Sequence, residues 1–268
     1  MVAAPRHAGW RRLALALGCA CLASLPAAAP ALAQGVRVAA ASSLAFVMLE
    51  LEEAFRAEGG AQLRVSLGSS GVFARQIARG APFDLFLSAD EGYVERLNAD
   101  GHARDAGSVY AIGRLVLFVP AGSPLDPAIE LAELPRAHAD GRLERLALAQ
   151  PEHTPYGRAA REALQASAAW DALQPALVYG ESVAQAARFA TTGAAQAGLL
   201  AWSVALQPQV AGQGSYRVLP ESLHAPLRQR MVLLRGASVD AEGFYAFLRG
   251  ARARAIFTRH GFSVPGGG

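Results

Sequence analysis

The chain has 268 residues, of which 52% are hydrophobic and 18% charged, with 27 glycines and 15 prolines. This composition excludes an intrinsically disordered chain, and the length suffices for two compact lobes or one large domain. The net charge of +3 equals the charge of Arg6, Arg11 and Arg12; residues 1–33 contain no acidic residue, so the remainder is neutral. A neutral body disfavours nucleic-acid binding, and the absence of lysine excludes Schiff-base and P-loop chemistry.

Residues 1–33 have the pattern of a cleavable signal peptide. The three arginines precede an apolar segment, residues 13–25, and Ala31-Leu32-Ala33 provides a small-x-small cleavage site. The mature chain is therefore predicted to be exported. Both cysteines, Cys19 and Cys21, lie in the apolar segment, where lipidation is an alternative, so the mature chain would have no disulfide. An uncleaved membrane anchor is disfavoured because the apolar run is short.

Short apolar segments alternate with amphipathic ones from residue 36 onward. The predicted strands, interpreted as buried, are residues 36–41, 63–68, 84–87, 115–119, 146–149, 176–179 and 198–201, with a further strand at 231–234. The predicted helices include residues 44–56, 72–79, 158–165, 183–190, 241–249 and 251–260. This alternation predicts an α/β fold whose mainly parallel sheets are flanked by helices and bind ligands at their carboxyl ends. Without an obvious linker, we expect two lobes connected by more than one strand.

Four strand-to-helix junctions share one chemical design. They are Ala40-Ala41-Ser42-Ser43, Gly68-Ser69-Ser70-Gly71, Thr154-Pro155-Tyr156-Gly157 and Gly180-Glu181-Ser182-Val183. Each places hydroxyl residues or glycine where a helix leaves its first N–H groups unpaired, and these donors together with the helix dipole can bind an anion. For any one junction, ordinary helix capping is the favoured interpretation, although four such junctions in one chain are less readily explained by it. Spacing does not show that the four ends converge.

Other chemical candidates are weaker. The histidines His102, His138, His153, His224 and His260 show no metal-ligand spacing and are predicted to be solvated. Asp90 and Glu91 follow a predicted strand and are interpreted as capping the next helix. Trp170 and Trp202 are interpreted as packing residues. Gly68-Ser69-Ser70-Gly71 lacks the G-x-S-x-G pattern of a nucleophile elbow.

Several segments together resemble the periplasmic molybdate-binding proteins of molybdate ABC transporters. The resemblance covers residues 35–264 and rests on residues 40–44, 68–71, 80–90, 110–117, 151–157, 181–183 and 255–262. It implies a two-lobed type II periplasmic binding protein fold, each lobe a mainly parallel sheet flanked by helices. Lobe I would comprise residues 34–113 plus 220–268, and lobe II residues 114–219. The implied protein is a periplasmic monomer that uses no cofactor, is not an enzyme and serves a membrane ABC permease.

The same resemblance implies a site for molybdate, and for tungstate, in which molybdenum is bound only as the oxyanion. Ser42, Ser43 and Ser70 would donate from lobe I, and the backbone N–H groups of Tyr156 and Val183 from lobe II. One branch of the family has a ligand-binding tyrosine where this chain has Ala201. A second branch carries Pro-Tyr-Gly in a lobe II loop, so we expect Tyr156 to supply the missing contact.

Two alternative functions stay open at this point. One is a receptor of the same fold for sulfate, phosphate or ferric iron, although iron would call for several tyrosine and carboxylate ligands and only Tyr156 lies at a suitable junction. The other is an exported serine hydrolase that uses Ser70, which requires a histidine within hydrogen-bond reach of that serine.

Overall fold

The structure, a computed structural model, describes residues 35–265. The predicted signal peptide, with Cys19 and Cys21, lies outside the described residues. No helix within residues 35–265 has both the length and the apolar character needed to span a membrane. The same part of the chain contains no cluster of histidine, cysteine and acidic residues that could hold a metal ion.

Within the described residues, ten strands form two five-stranded sheets. The strands are β1 (Val36–Ala41), β2 (Leu63–Gly68), β3 (Leu85–Ser88), β4 (Ser108–Gly113), β5 (Leu115–Pro120), β6 (Leu146–Ala149), β7 (Leu177–Gly180), β8 (Ala197–Ala201), β9 (Gly214–Val218) and β10 (Leu227–Leu233). The first sheet has the order β2-β1-β3-β10-β4 and the second β7-β6-β8-β5-β9. In each sheet four strands are parallel and one, β10 or β5, is antiparallel to its neighbours.

The chain passes between the sheets twice. It leaves the first sheet at the β4–β5 junction and returns to it between β9 and β10. In each sheet the antiparallel strand is the one that the chain enters after crossing. The expectation of more than one connecting strand is therefore confirmed.

Between residues 35 and 265, eleven α-helices pack on the sheets. They are α1 (Ala45–Ala57), α2 (Ser70–Ala78), α3 (Glu91–Ala99), α4 (Leu134–Ala139), α5 (Pro155–Ala166), α6 (Trp170–Leu173), α7 (Val183–Thr191), α8 (Trp202–Ala205), α9 (Pro208–Ala211), α10 (Val239–Leu248) and α11 (Ala251–Arg259). The first sheet has apolar clusters on both faces. Ala40 and Leu87 lie in the cluster that contains Phe244 and Phe257, whereas Ala39 and Phe86 pack with α2 and α3 on the other face. This alternation follows from the two-residue period of a strand.

The predicted elements occur in the predicted order, with two kinds of correction. Strands β2 and β7 were expected to be buried, but they are edge strands: all six residues of β2 and three of the four residues of β7 are partly or fully exposed. Strands β4 and β9 were not predicted, since both mix polar with apolar residues. Trp170 and Trp202 pack against the core of the second sheet, as predicted.

Candidate functional site

All five predicted ligand-binding residues line one small cavity at the carboxyl ends of parallel strands. Its walls are made by Ala41, Ser42, Ser43, Gly68, Ser69, Ser70, Ala89, Thr154, Pro155, Tyr156, Ser182 and Val183. The first seven belong to segments of the first sheet and the others to segments of the second. None of these side chains carries a charge. The cavity therefore lies between the two halves of the molecule and offers only neutral groups.

Ser42 and Ser43 form a single turn of 3-10 helix between β1 and α1. Both side chains are buried, with relative exposures of 7% and 2%. Ser43 Oγ meets no hydrogen-bond geometry with any group within residues 35–265, although the Tyr156 hydroxyl lies close to it. A buried hydroxyl without a partner costs stability, about 1–3 kcal/mol, unless a ligand satisfies it.

The adjacent residues Ser69 and Ser70, at the start of α2, form different hydrogen bonds. Ser69 is the N-cap: its Oγ accepts from Val72 N at 3.5 Å and donates to the carbonyl oxygen of His153 at 2.6 Å. Ser70 Oγ accepts from Ala89 N at 3.0 Å. Because this bond uses acceptor capacity of Ser70, the hydroxyl proton remains available for an oxyanion.

On the opposite wall, capping leaves one N–H of α5 free. Thr154 Oγ1 accepts from Gly157 N at 3.0 Å and donates to Gln150 O at 2.7 Å. Pro155 has no N–H, so Tyr156 supplies the one first-turn N–H that is not capped by Thr154.

Helix α7 repeats this arrangement. Its N-cap is Ser182, whose Oγ accepts from Gln185 N at 3.3 Å. Val183 is the first helical residue, where an N–H has no partner within the helix. The donors assigned to this wall are the backbone N–H groups of Tyr156 and Val183. Thr154 donates its hydroxyl proton to Gln150 O in a hydrogen bond, whereas Ser182 only accepts and keeps its own proton.

The side chain of Tyr156 is engaged elsewhere. Its hydroxyl accepts from Gln229 Nε2 at 3.0 Å, and burial raises the pKa of this hydroxyl well above its usual value. The bond from Gln229 uses acceptor capacity of this hydroxyl, which also lies near the side chains of Ser43 and Ser203. The group of Tyr156 assigned to the anion is its N–H, at the start of α5. Ala201, where one branch of the family has a tyrosine, is buried at the end of β8 opposite Leu115 and does not line the cavity.

The two halves of the molecule contact each other directly beside the cavity. Gly71 N donates to His153 O at 3.1 Å, and Arg158 forms an ion pair with Asp90. The cavity has a volume of about 10 Å³, the space of roughly one water-sized sphere. A tetrahedral oxyanion is several times larger than water, so the two walls must separate for one to enter. We expect these contacts to form again when the walls close on it.

Two of the histidine predictions are wrong. His153 is mostly buried, with its Nδ1 3.2 Å from Ser69 Oγ and its Nε2 3.4 Å from Glu181. His224 is also buried, with a relative exposure of 8%. Both lie in segments between helices and strands, where burial depends on contacts with distant parts of the chain. The interpretation of Asp90 is confirmed, because its Oδ1 accepts from Gly92 N at the start of α3.

The requirement of the hydrolase alternative is not met. Ser70 Oγ is bonded to Ala89 N, and no histidine within residues 35–265 forms a hydrogen bond with it. His153 instead contacts Ser69, whose hydroxyl donates to a carbonyl oxygen.

Comparisons with known proteins agree with this architecture. The family model of bacterial extracellular solute-binding proteins matches residues 36–263. The molybdate-binding protein ModA of Rhodobacter capsulatus is 35% identical over 261 residues, 96% of each chain. ModA of Azotobacter vinelandii is 32% identical over 257 residues, 94% of this chain and 97% of the relative.

A solved structure extends the comparison to the fold. The periplasmic molybdate-binding protein of Azotobacter vinelandii superimposes with a TM-score of 0.77 and 30% identity, over 86% of this chain and 99% of that one. With two mostly parallel sheets, the molecule has the two-lobed type II periplasmic binding protein fold. The chain thus belongs to the bacterial extracellular solute-binding proteins and, among them, to the family of the molybdate-binding protein ModA.

Proposed function

We propose that this chain captures molybdate, and also tungstate, between lobe I (residues 34–113 plus 220–268) and lobe II (residues 114–219). The ligands are Ser42, Ser43 and Ser70 from lobe I and the N–H groups of Tyr156 and Val183 from lobe II. The chain acts as an exported monomer in the periplasm, performs no chemistry on the anion and passes it to a membrane ABC permease. The names of the relatives support the choice of anion.

The observation that carries this proposal is the convergence of uncharged donors on one cavity. Five residues from four separate junctions line the same space, and the buried Ser43 Oγ lacks a partner within residues 35–265. Molybdate is a dianion at neutral pH and offers only acceptors. A site composed of N–H and O–H donors therefore satisfies it completely, and each charge-assisted bond contributes about 1.5–3 kcal/mol.

The same donors disfavour other anions. Phosphate near neutral pH carries a proton, and its O–H would find no acceptor, at a cost of about 1–3 kcal/mol. Sulfate is fully deprotonated and differs from molybdate chiefly in size. Because no fixed cation holds the anion, separation of the lobes releases it readily.

Thermal unfolding with added anions tests the proposal. A ligand that binds only the folded chain raises the melting temperature according to its concentration and Kd. We expect molybdate and tungstate to raise it by several degrees at concentrations where sulfate and phosphate have little effect. A larger shift with sulfate would assign the site to sulfate, and no shift with any of the four would refute an oxyanion function.

A further inference from the structure

A buried series of hydrogen bonds joins the first sheet to helix α5 near the cavity. The Tyr110 hydroxyl on β4 donates to Gln229 Oε1 on β10 at 2.8 Å, and Gln229 Nε2 donates to the Tyr156 hydroxyl of α5 at 3.0 Å. Tyr110, Tyr156 and Gln229 have relative exposures of 4%, 2% and 0%. Both amide atoms of Gln229 are thereby satisfied, as a buried amide requires.

Each end of this series reaches a residue that lines the cavity. At one end, Tyr156 carries the N–H that Thr154 leaves uncapped at the start of α5. At the other end, the Tyr110 hydroxyl lies 3.2 Å from the carbonyl oxygen of Ser88. The next residue, Ala89, donates its N–H to Ser70 Oγ. Because the Tyr110 hydroxyl has one proton, its bond to Gln229 Oε1 is the full one and its contact with Ser88 O is the weaker one. A path of contacts therefore connects a donor of lobe II with a donor of lobe I.

The backbone near Gln229 is shaped for this contact. The pairing of β10 with β4 shifts register between Gln229 and Arg230, an irregularity that redirects side chains. Gly113, the last residue of β4, has no side chain and so leaves room for the hydrogen bond between Gln229 and Tyr156. A Cβ there would clash with the Tyr156 hydroxyl and lie 2.7 Å from Gln229 Nε2. Gly113 also adjoins the β4–β5 crossing, so the path runs beside one connection between the lobes.

We propose that Gln229 and Tyr110 are positioning residues for oxyanion binding. They hold the Tyr156 N–H of lobe II at the correct distance from the Ser70 hydroxyl of lobe I, although neither touches the anion. This inference rests on the proposed function. The inference predicts that removing a hydrogen bond between Tyr110, Gln229 and Tyr156 weakens molybdate binding. The dissociation rate should rise, because the donors are misplaced in the bound state.

The test measures molybdate binding, by calorimetry and by stopped-flow kinetics, in Gln229→Met, Tyr156→Phe and the double variant. We expect about a tenfold increase in Kd for each single variant, carried by the dissociation rate. The Kd of the double variant should be no higher than that of the single variant with the higher Kd, because both substitutions remove the same hydrogen bond between Gln229 and Tyr156. Tyr245→Phe, which alters a tyrosine packed against the first core outside this path, should bind like the unsubstituted chain.

A purely structural role gives a different pattern. The melting temperature of the anion-free protein would fall while the Kd, measured well below that temperature, stayed unchanged, and this result would overturn the inference. If Gln229→Met fails to fold, the Kd of Tyr156→Phe alone tests the inference, because this substitution removes only one hydroxyl. If the unsubstituted chain binds molybdate and both single variants bind equally well, the positioning role fails while the proposed function stands. If the unsubstituted chain does not bind molybdate, both are refuted.

Discussion

The two walls of the cavity supply hydrogen-bond donors in different ways. On the lobe I wall, Ser43 and Ser70 present hydroxyl side chains, one without a partner in the described chain and one oriented by Ala89 N. On the lobe II wall, Thr154 and Ser182 use their hydroxyls as helix caps, and the donors are the N–H groups of Tyr156 and Val183. A hydroxyl next to a helix is therefore not by itself a ligand.

This difference determines how each wall can be altered. A side-chain donor is removed by alanine, whereas a backbone donor survives every ordinary substitution and is removed by proline. The following experiments use that contrast, together with the direct contact between the walls.

Val183→Pro should have the largest effect. Proline is favoured at the first position of a helix, so α7 should still form, but the N–H is lost and the ring occupies its place. We expect molybdate affinity to fall by about 100-fold or more, measured by calorimetry. The matched control is Val239→Pro, at the first position of α10, which Ser238 caps in the same way far from the cavity lining. Equal affinities for both variants would exclude the Val183 N–H as a ligand.

Gly71→Ala comes next, because it separates the walls. A Cβ at Gly71 would lie 2.6 Å from His153 O and 2.7 Å from the Tyr93 hydroxyl. Overpacking of this kind costs about 1–3 kcal/mol, so we expect roughly 30-fold weaker molybdate binding. Gly243→Ala in α10 is the control, since its Cβ would meet only Phe55 at 3.8 Å. Unchanged binding by Gly71→Ala would show that this contact is absent from the bound form.

Ser43→Ala and Ser70→Ala should each weaken molybdate binding by about tenfold but differ in stability. Ser43→Ala removes a buried hydroxyl without a partner, so the melting temperature of the free protein should not fall. Ser70→Ala leaves Ala89 N unpaired and should lower that temperature, by an amount corresponding to about 1–3 kcal/mol. If both variants bind like the unsubstituted chain, the assigned lobe I donors are wrong.

The smallest expected effect is that of alkaline pH on affinity. Burial raises the pKa of Tyr156, so its hydroxyl keeps its proton, and Kd should change less than about twofold between about pH 7 and pH 9. Stability behaves differently. Unfolded tyrosines lose protons near about pH 10 while buried Tyr110 and Tyr156 keep theirs, so the free energy of unfolding should fall above that pH. Tyr156→Phe should reduce this fall; an unchanged pH profile of unfolding would contradict it.

The lining residues could be predicted from the sequence because they lie at strand-to-helix junctions, which are local. Ser70 and Val183 lie two and three residues after the ends of β2 and β7, and each is the first residue of an amphipathic helix. Gln229 could not be predicted in this way. Its partner Tyr156 is 73 positions earlier, and its alignment depends on an irregularity between β10 and β4.

The strands also differ in whether local sequence was enough to predict them. Strand β3 is buried along its whole length, so its sequence is mostly apolar and the strand could be predicted. Strand β9 lies on a sheet edge and mixes polar with apolar residues, so it was not predicted. The contacts of His153 with Ser69 and Gly71 likewise depend on how lobe II packs against the start of α2, and no local sequence pattern predicts that packing.

A crystal structure of this chain grown with molybdate, with the metal located by its anomalous scattering, tests the central claim most directly. We predict one molybdenum atom in the cavity, its oxygens within hydrogen-bond distance of Ser43 Oγ, Ser70 Oγ and the N–H groups of Tyr156 and Val183, with no arginine in contact. Molybdenum bound elsewhere, or held by a charged side chain, would contradict the account.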